Sequence, residues 1–112
     1  MAGKDVLSPE RLEDALAVLP DWRYRGGALV TVYKLPTAAA ALELIAAVGR
    51  LAEEHNHHPD LDWRYNRVFL RYTSHDAGGE VTARDVGAAE AVREAAAALQ
   101  AVPEPERHPA SS

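Results

Sequence analysis

Trp22-Arg23-Tyr24-Arg25-Gly26-Gly27-Ala28-Leu29-Val30-Thr31-Val32-Tyr33-Lys34-Leu35 is the stretch whose reading decides the fold. From Trp22 to Arg25 large apolar and charged residues alternate, the two-residue period of a half-buried strand. Gly26-Gly27 follows, and glycine takes positive φ without a steric penalty, so the spacing predicts a tight hairpin turn. Ala28 to Leu35 then runs as a second strand rich in Val, Thr and Tyr. A second alternating pair lies downstream. Trp63 and Tyr65 alternate with Asp62 and Arg64, and Val68, Leu70 and Tyr72 alternate with Phe69 and Arg71, with a turn expected near Asn66-Arg67.

Helical patterns flank and separate these hairpins. Ser8 is a good N-cap and Pro9 suits a first helical position, so a helix is expected from Pro9 to about Leu19, with Leu12, Ala15, Leu16 and Leu19 on one face and Pro20-Asp21 ending it. Pro36-Thr37 opens the longest helical pattern, to about Glu54, with an apolar stripe of Ala41, Leu44, Ile45, Val48, Leu51 and Ala52. Gly49 inside it costs about 1 kcal/mol relative to Ala, which implies close packing there. A loop at Gly78-Gly79 precedes a third helix starting near Thr82, striped by Val86, Ala89, Val92, Ala96 and Leu99. The order helix–strand–strand–helix–strand–strand–helix implies an α+β fold: a four-stranded antiparallel sheet with three helices packed on one face. Residues 1–102 read as a single domain. Residues 103–112, with three prolines, charges and two terminal serines, read as a flexible C-terminal tail.

Composition narrows the function. A chain of 112 residues, 47% hydrophobic and 26% charged, is one ordinary globular domain. Without cysteine there are no disulfides and no thiolate metal ligands. The net charge of −5, with arginines scattered rather than clustered, argues against direct binding of nucleic acid. No apolar run reaches the roughly 20 residues that span a bilayer. Nor does the N-terminus place a basic segment before a hydrophobic one, so no membrane partner and a cytoplasmic location are expected.

Chemistry concentrates in the histidines, four of whose five lie between His55 and His75. Imidazole exchanges protons near neutral pH, because its unperturbed pKa is about 6.5. Each histidine alone also has a structural explanation. His55 falls at a helix C-terminus, where a cation complements the dipole. His57-His58 on a loop is ordinarily solvated surface, and His75 ends a strand. Thr82-Ala83-Arg84-Asp85 has capping-box spacing, so Asp85 has a backbone role available, and Glu53 has the bland role of a solvated helix residue. A metal reading would recruit His55, His57 and His58 with Asp60 or Asp62. However, no helical His-x-x-x-His pair and no recognised zinc spacing are present, so no metal is expected.

Joint spacing lifts the histidines above those explanations: Glu53, three residues, His57-His58-Pro59, five residues, Tyr65, nine residues, His75, nine residues, Asp85. This set, with Tyr65-Asn66-Arg67-Val68 and Thr73-Ser74-His75-Asp76, is similar to the signature of the pterin-4a-carbinolamine dehydratases, and the resemblance runs from about Leu7 to Leu99. It implies a hydro-lyase that converts a 4a-hydroxytetrahydropterin to a quinonoid dihydropterin and water in pterin recycling, with neither metal nor organic cofactor. It implies catalysis by His57, His58 and His75, with His58 and His75 at the reacting edge and His57 orienting the ring. Glu53, Asn56, Pro59, Trp63, Ser74 and Asp85 would bind substrate or orient the imidazoles. A homo-oligomer, dimer or tetramer, is a further implication. Two departures stand out: Asn56 where relatives often carry an acid, and Leu61 where they often carry Trp, with Trp63 two residues on and on the same face of an extended segment. The family resemblance also implies a runner-up, a non-catalytic protein-binding member acting as transcriptional cofactor or assembly factor through an exposed Phe69 or an open edge strand. Intact histidines argue against it.

Overall fold

The computed structural model describes residues 6–109. Both expected hairpins form. In the first, β1 (Arg23–Arg25) pairs antiparallel with β2 (Ala28–Lys34). Gly26 and Gly27 sit at φ 55 and 79, the positive region that a two-residue turn needs. Gly27 has a second reason to be glycine, because a Cβ there would stand 2.4 Å from the carbonyl oxygen of Gly79. In the second hairpin, β3 (Asp60–Arg64) pairs with β4 (Arg67–Tyr72), Arg64 opposite Arg67. The turn is therefore Tyr65-Asn66, one residue earlier than the pattern suggests, with Tyr65 at φ 53.

The two hairpins join through β2 and β4, giving the order β1-β2-β4-β3. Leu29, Tyr33, Val68, Leu70 and Tyr72 face one side of the sheet. Against that side pack α1 (Pro9–Ala17), α2 (Ala38–His55) and α3 (Ala83–Ala98) through Leu12, Leu16, Leu44, Val48, Ala89 and Val92. Trp22 sits at the centre, its ring edge-on to Tyr33 at 6.4 Å and tilted against Tyr72 at 5.8 Å. The first helix ends at Ala17, two residues short of its apolar periodicity. Leu19 is fully buried all the same, because the chain turns with Leu19 N–H on the Leu16 carbonyl and Trp22 N–H on the Leu19 carbonyl. Gly49 is not a packing glycine, since a Cβ there would meet nothing within 4 Å.

The C-terminal segment departs from its sequence reading. Rather than fraying from Pro103, the chain adds β5 (Val102–Pro103) beside β2, opposite Lys34 and Tyr33. Glu104 donates its N–H to the Val32 carbonyl at 2.7 Å, and its carboxylate accepts from Arg67 at 2.9 Å and Arg107 at 3.1 Å. A short 3₁₀ turn, Pro105–Arg107, buries Pro105, and the His108 carbonyl accepts from Arg25 at 3.1 Å. This strap lies across the sheet face opposite the helices, where Val30 and Val32 are fully buried. Composition misled here: Pro103 is tolerated at the end of a two-residue strand, Pro105 anchors the turn, and the valines that the helices leave uncovered supply the apolar surface that holds it. Phe69, expected to be exposed, is only 9% exposed, with the His108 ring 6.2 Å away and the Arg64 guanidinium 4.8 Å from its centroid. Residues 110–112 of the expected tail lie outside the described residues.

Candidate active site

The site is built where α2 stops. Asn56 caps the helix in the left-handed region, φ 50 and ψ 44, a conformation that Asn tolerates better than most residues. The backbone N–H of His57 still reaches the Ala52 carbonyl at 3.1 Å, after which Pro59 forces the chain to extend. That exit sends the paired histidines in opposite directions. His57 turns inward with a side chain 10% exposed, while His58 stays outward at 54%.

Inside, His57 Nε2 lies 2.6 Å from Oδ1 of Asp85. Asp85 is fully buried at the start of α3, and its other oxygen accepts from Ser74 Oγ at 2.7 Å and from the Thr82 backbone N–H at 2.8 Å. Thr82 caps the helix and shares a 2.8 Å hydrogen bond with Ser74. The capping role and the imidazole role of Asp85 are thus not alternatives, because each uses its own oxygen. A carboxylate at a helix N-terminus is also favoured by the dipole. Facing it, neutral His57 carries its proton on Nε2 and leaves Nδ1 as the free lone pair. The Tyr72 ring stacks against His57 with centroids 5.8 Å apart and planes 20° apart, and burial together with Asp85 pushes the phenol up to about 12.

Outside, His58 Nε2 lies 2.6 Å from Glu53 Oε2, both groups exposed. His75, itself exposed, opens the 3₁₀ turn His75–Ala77, immediately after buried Ser74, and its ring makes no hydrogen bond among the described residues. In the same turn, Asp76 is held below the usual carboxylate range chiefly by its hydrogen bond from Arg84. Pro59 is half-buried at the head of β3. Leu61 and Trp63 sit opposite Leu70 and Val68, on the helix side of the sheet, 38% and 48% exposed. The Trp63 indole donates to the Tyr65 carbonyl at 2.6 Å. Among the described residues no three His, Asp or Glu side chains converge as a metal-ligand set.

A cavity of about 290 Å³ opens between α2 and α3. It is lined by His57, Tyr72, His55 and Arg84 with Leu51, Gly87, Ala88 and Ala91, whereas His58, His75 and Glu53 are not among its lining residues. Tyr72, Arg84 and Gly87 escaped the sequence reading. Tyr72 reads as an ordinary inward strand position, and only the fold shows that a histidine from another element lies on it.

Residues 5–95 match the family model described as pterin 4 alpha carbinolamine dehydratase. The chain belongs to that family. Relatives of the dehydratase family bear this out, each carrying pterin-4-alpha-carbinolamine dehydratase as a provisional curated name. A protein of Chloroflexus aurantiacus is 42% identical over 88 residues, covering 79% of this chain and 94% of its own. One of Thermomicrobium roseum is 43% identical over 91 residues, covering 77% and 97%. Among solved structures, a transcriptional coactivator/pterin dehydratase from Brucella melitensis superposes with a TM-score of 0.77 at 26% identity, over 81% of this chain and 98% of its own. The α+β order of helices and antiparallel strands is therefore that of the dehydratase family. The strap lies beyond the last residue that the family model matches. No helix among the described residues is long and apolar enough to cross a membrane.

Proposed function

We propose that the protein dehydrates a 4a-hydroxytetrahydropterin to the quinonoid dihydropterin and water by histidine acid–base catalysis. Hydroxide is a poor leaving group, so an acid must protonate the C4a hydroxyl as the C4a–O bond breaks, while a base removes the N5 proton as the C=N bond forms. Two imidazole–carboxylate pairs a residue apart, His57–Asp85 and His58–Glu53, are the observation that carries this reading. The first is buried and locked, suited to orienting the ring. The second, with His75, is open to water, which suits groups that must exchange protons at every turnover. Asn56 supports the reading through the helix cap after which the two imidazoles diverge; Pro59, Trp63 and Ser74 support it by shaping the chain around them.

The test generates the carbinolamine in situ and follows its dehydration with metal-free protein. Acceleration over the spontaneous rate is expected. His58→Ala and His75→Ala should each lower it at least tenfold with the fold intact. An unaccelerated rate sinks the proposal, and two neutral substitutions sink the assignment of roles. A second reading, a protein-binding member, draws support from the edge strand β3, all five of whose residues are exposed. Self-association through such an edge fits the homo-oligomer that the family resemblance implies.

A further inference from the structure

The sheet face turned away from the helices carries a charge that overall composition conceals. Six of the twelve Lys and Arg residues, Arg23, Arg25, Lys34, Arg64, Arg67 and Arg71, alternate onto it from four strands, in a protein of net charge −5. Lys34, Arg67 and Arg64 stand directly opposite one another on β2, β4 and β3, about 5 Å from strand to strand. Like charges paired in this way destabilise a sheet unless anions lie among them. Asp62 pairs with Arg64 at 3.0 Å, which leaves Lys34 and Arg67 to the strap. There a single carboxylate serves three cations. Glu104 accepts from Arg67 at 2.9 Å and from Arg107 at 3.1 Å, and Arg67, Arg107 and Lys34 all draw its pKa down. Arg107 thus brings a further positive charge to a place already rich in them. The strap also packs incompletely, with a space of about 180 Å³ between His108 and the β3–β4 hairpin, where Asp62, Phe69 and Arg71 line it.

We propose that this face is a docking surface for an extended, acidic, proline-containing segment of a partner protein, with the strap as its resident occupant, displaced when the partner binds. The proposal goes beyond the dehydratase reading and does not depend on it. The strap itself shows which chemistry fits. Val102 and Pro103 lie along β2, and the Glu104 N–H meets the Val32 carbonyl at 2.7 Å. The Glu104 carboxylate enters the cationic rank, and Pro105 is buried. Backbone pairing for affinity and side-chain pockets for selectivity are the components of strand addition to a sheet. A segment with an acid in place of Arg107 would make the same backbone contacts and match one more positive charge. A nucleic acid fits this face less well. It has no peptide N–H for the Val32 carbonyl, Asp60 and Asp62 on β3 repel a phosphate backbone, and Phe69, 9% exposed, is no open platform for stacked bases.

The experiment uses the full-length chain and two fluorescent peptides, one with the strap sequence from Gln100 to Pro109 and one identical but for Arg107→Glu. Binding is followed by anisotropy, to the unaltered protein and to a variant whose strap is loosened by Glu104→Ala and Pro105→Gly. The acidic peptide should bind the loosened variant about tenfold more tightly than the unaltered protein, where the strap competes, and about threefold more tightly than the strap peptide does. Adding Lys34→Glu to the loosened variant should weaken the acidic peptide about tenfold. On the unaltered protein, excess acidic peptide should raise the exchange rate of the Glu104 amide hydrogen about tenfold, a readout that stands whether or not the variant folds. The proposal is overturned by unchanged Glu104 exchange in excess acidic peptide, or by a scrambled peptide of the same composition binding equally well. It is overturned too if single-stranded DNA of equal charge binds more tightly than the acidic peptide, since the face would then be a nucleic-acid surface.

Discussion

Replacing Asp85 by Asn removes one charge while preserving shape, and its cost can be worked from the three short hydrogen bonds the carboxylate receives. Oδ2 takes the Ser74 hydroxyl and the Thr82 N–H, and Oδ1 takes His57. The single carbonyl oxygen of Asn keeps the helix cap, so those two bonds fall from charge-assisted to neutral strength, a loss of about 1 kcal/mol each. The amide NH₂ then faces His57 Nε2, which must become an acceptor. The loss of charge at the helix N-terminus adds up to about 1 kcal/mol. The sum is about 2–3 kcal/mol, or a fall of about 8–12 °C in Tm for a domain of this size. Two readouts check it: thermal unfolding by circular dichroism, and the ¹⁵N shifts of the imidazoles. His57 should carry its proton on Nε2 in the unaltered protein and on Nδ1 in Asp85→Asn, and the dehydration rate should fall tenfold or more. An unfolding temperature within 2 °C with the same tautomer in both proteins would refute the argument, because Asp85 would then be no more than a surface-like cap.

Two further expectations concern the strap and the first turn. Burial, then Arg25 and Arg71, hold His108 below its ordinary pKa, and Arg67 and Arg107 hold Glu104 below the carboxylate range. Both shifts are downward, so the unfolded chain binds more protons and stability falls on acidification. His108 contributes fully above about pH 6.5 and loses that contribution as pH drops through its folded pKa; Glu104 does so below about pH 4.5. The amide of Glu104 should therefore exchange faster at pH 5 than its intrinsic rate explains, and His108→Gln should flatten the dependence; equal protection at pH 5 and 7.5 would count against it. Gly27→Ala forces a side chain into φ 79 and onto the Gly79 carbonyl. It should cost about 2 kcal/mol or more in urea unfolding, and a loss below 0.5 kcal/mol would refute the close approach.

Most of the architecture was determined by the sequence alone, because it rests on local physics. Alternation from Trp22 to Leu35 and from Trp63 to Tyr72 dictates strands, paired glycines with positive φ dictate the first turn, and Ser8, Thr37 and Thr82 dictate where helices begin. The spacing of Glu53, His57, His58 and Asp85 was equally legible, since a motif is a property of the chain. Long-range burial was not. Whether Pro103 to His108 frays depends on Val30 and Val32 lacking any other cover, and whether Phe69 is exposed depends on that strap. Residues 72 and 87 show the same limit at the site. Tyr72 becomes a floor for His57, and Gly87 a cavity wall, only because α2 and α3 pack side by side over β4. Pairwise proximity between elements tens of residues apart leaves no trace in local periodicity. Tertiary structure therefore decided which carboxylate each imidazole meets, with His57 reaching across 28 residues to Asp85 and His58 folding back to Glu53.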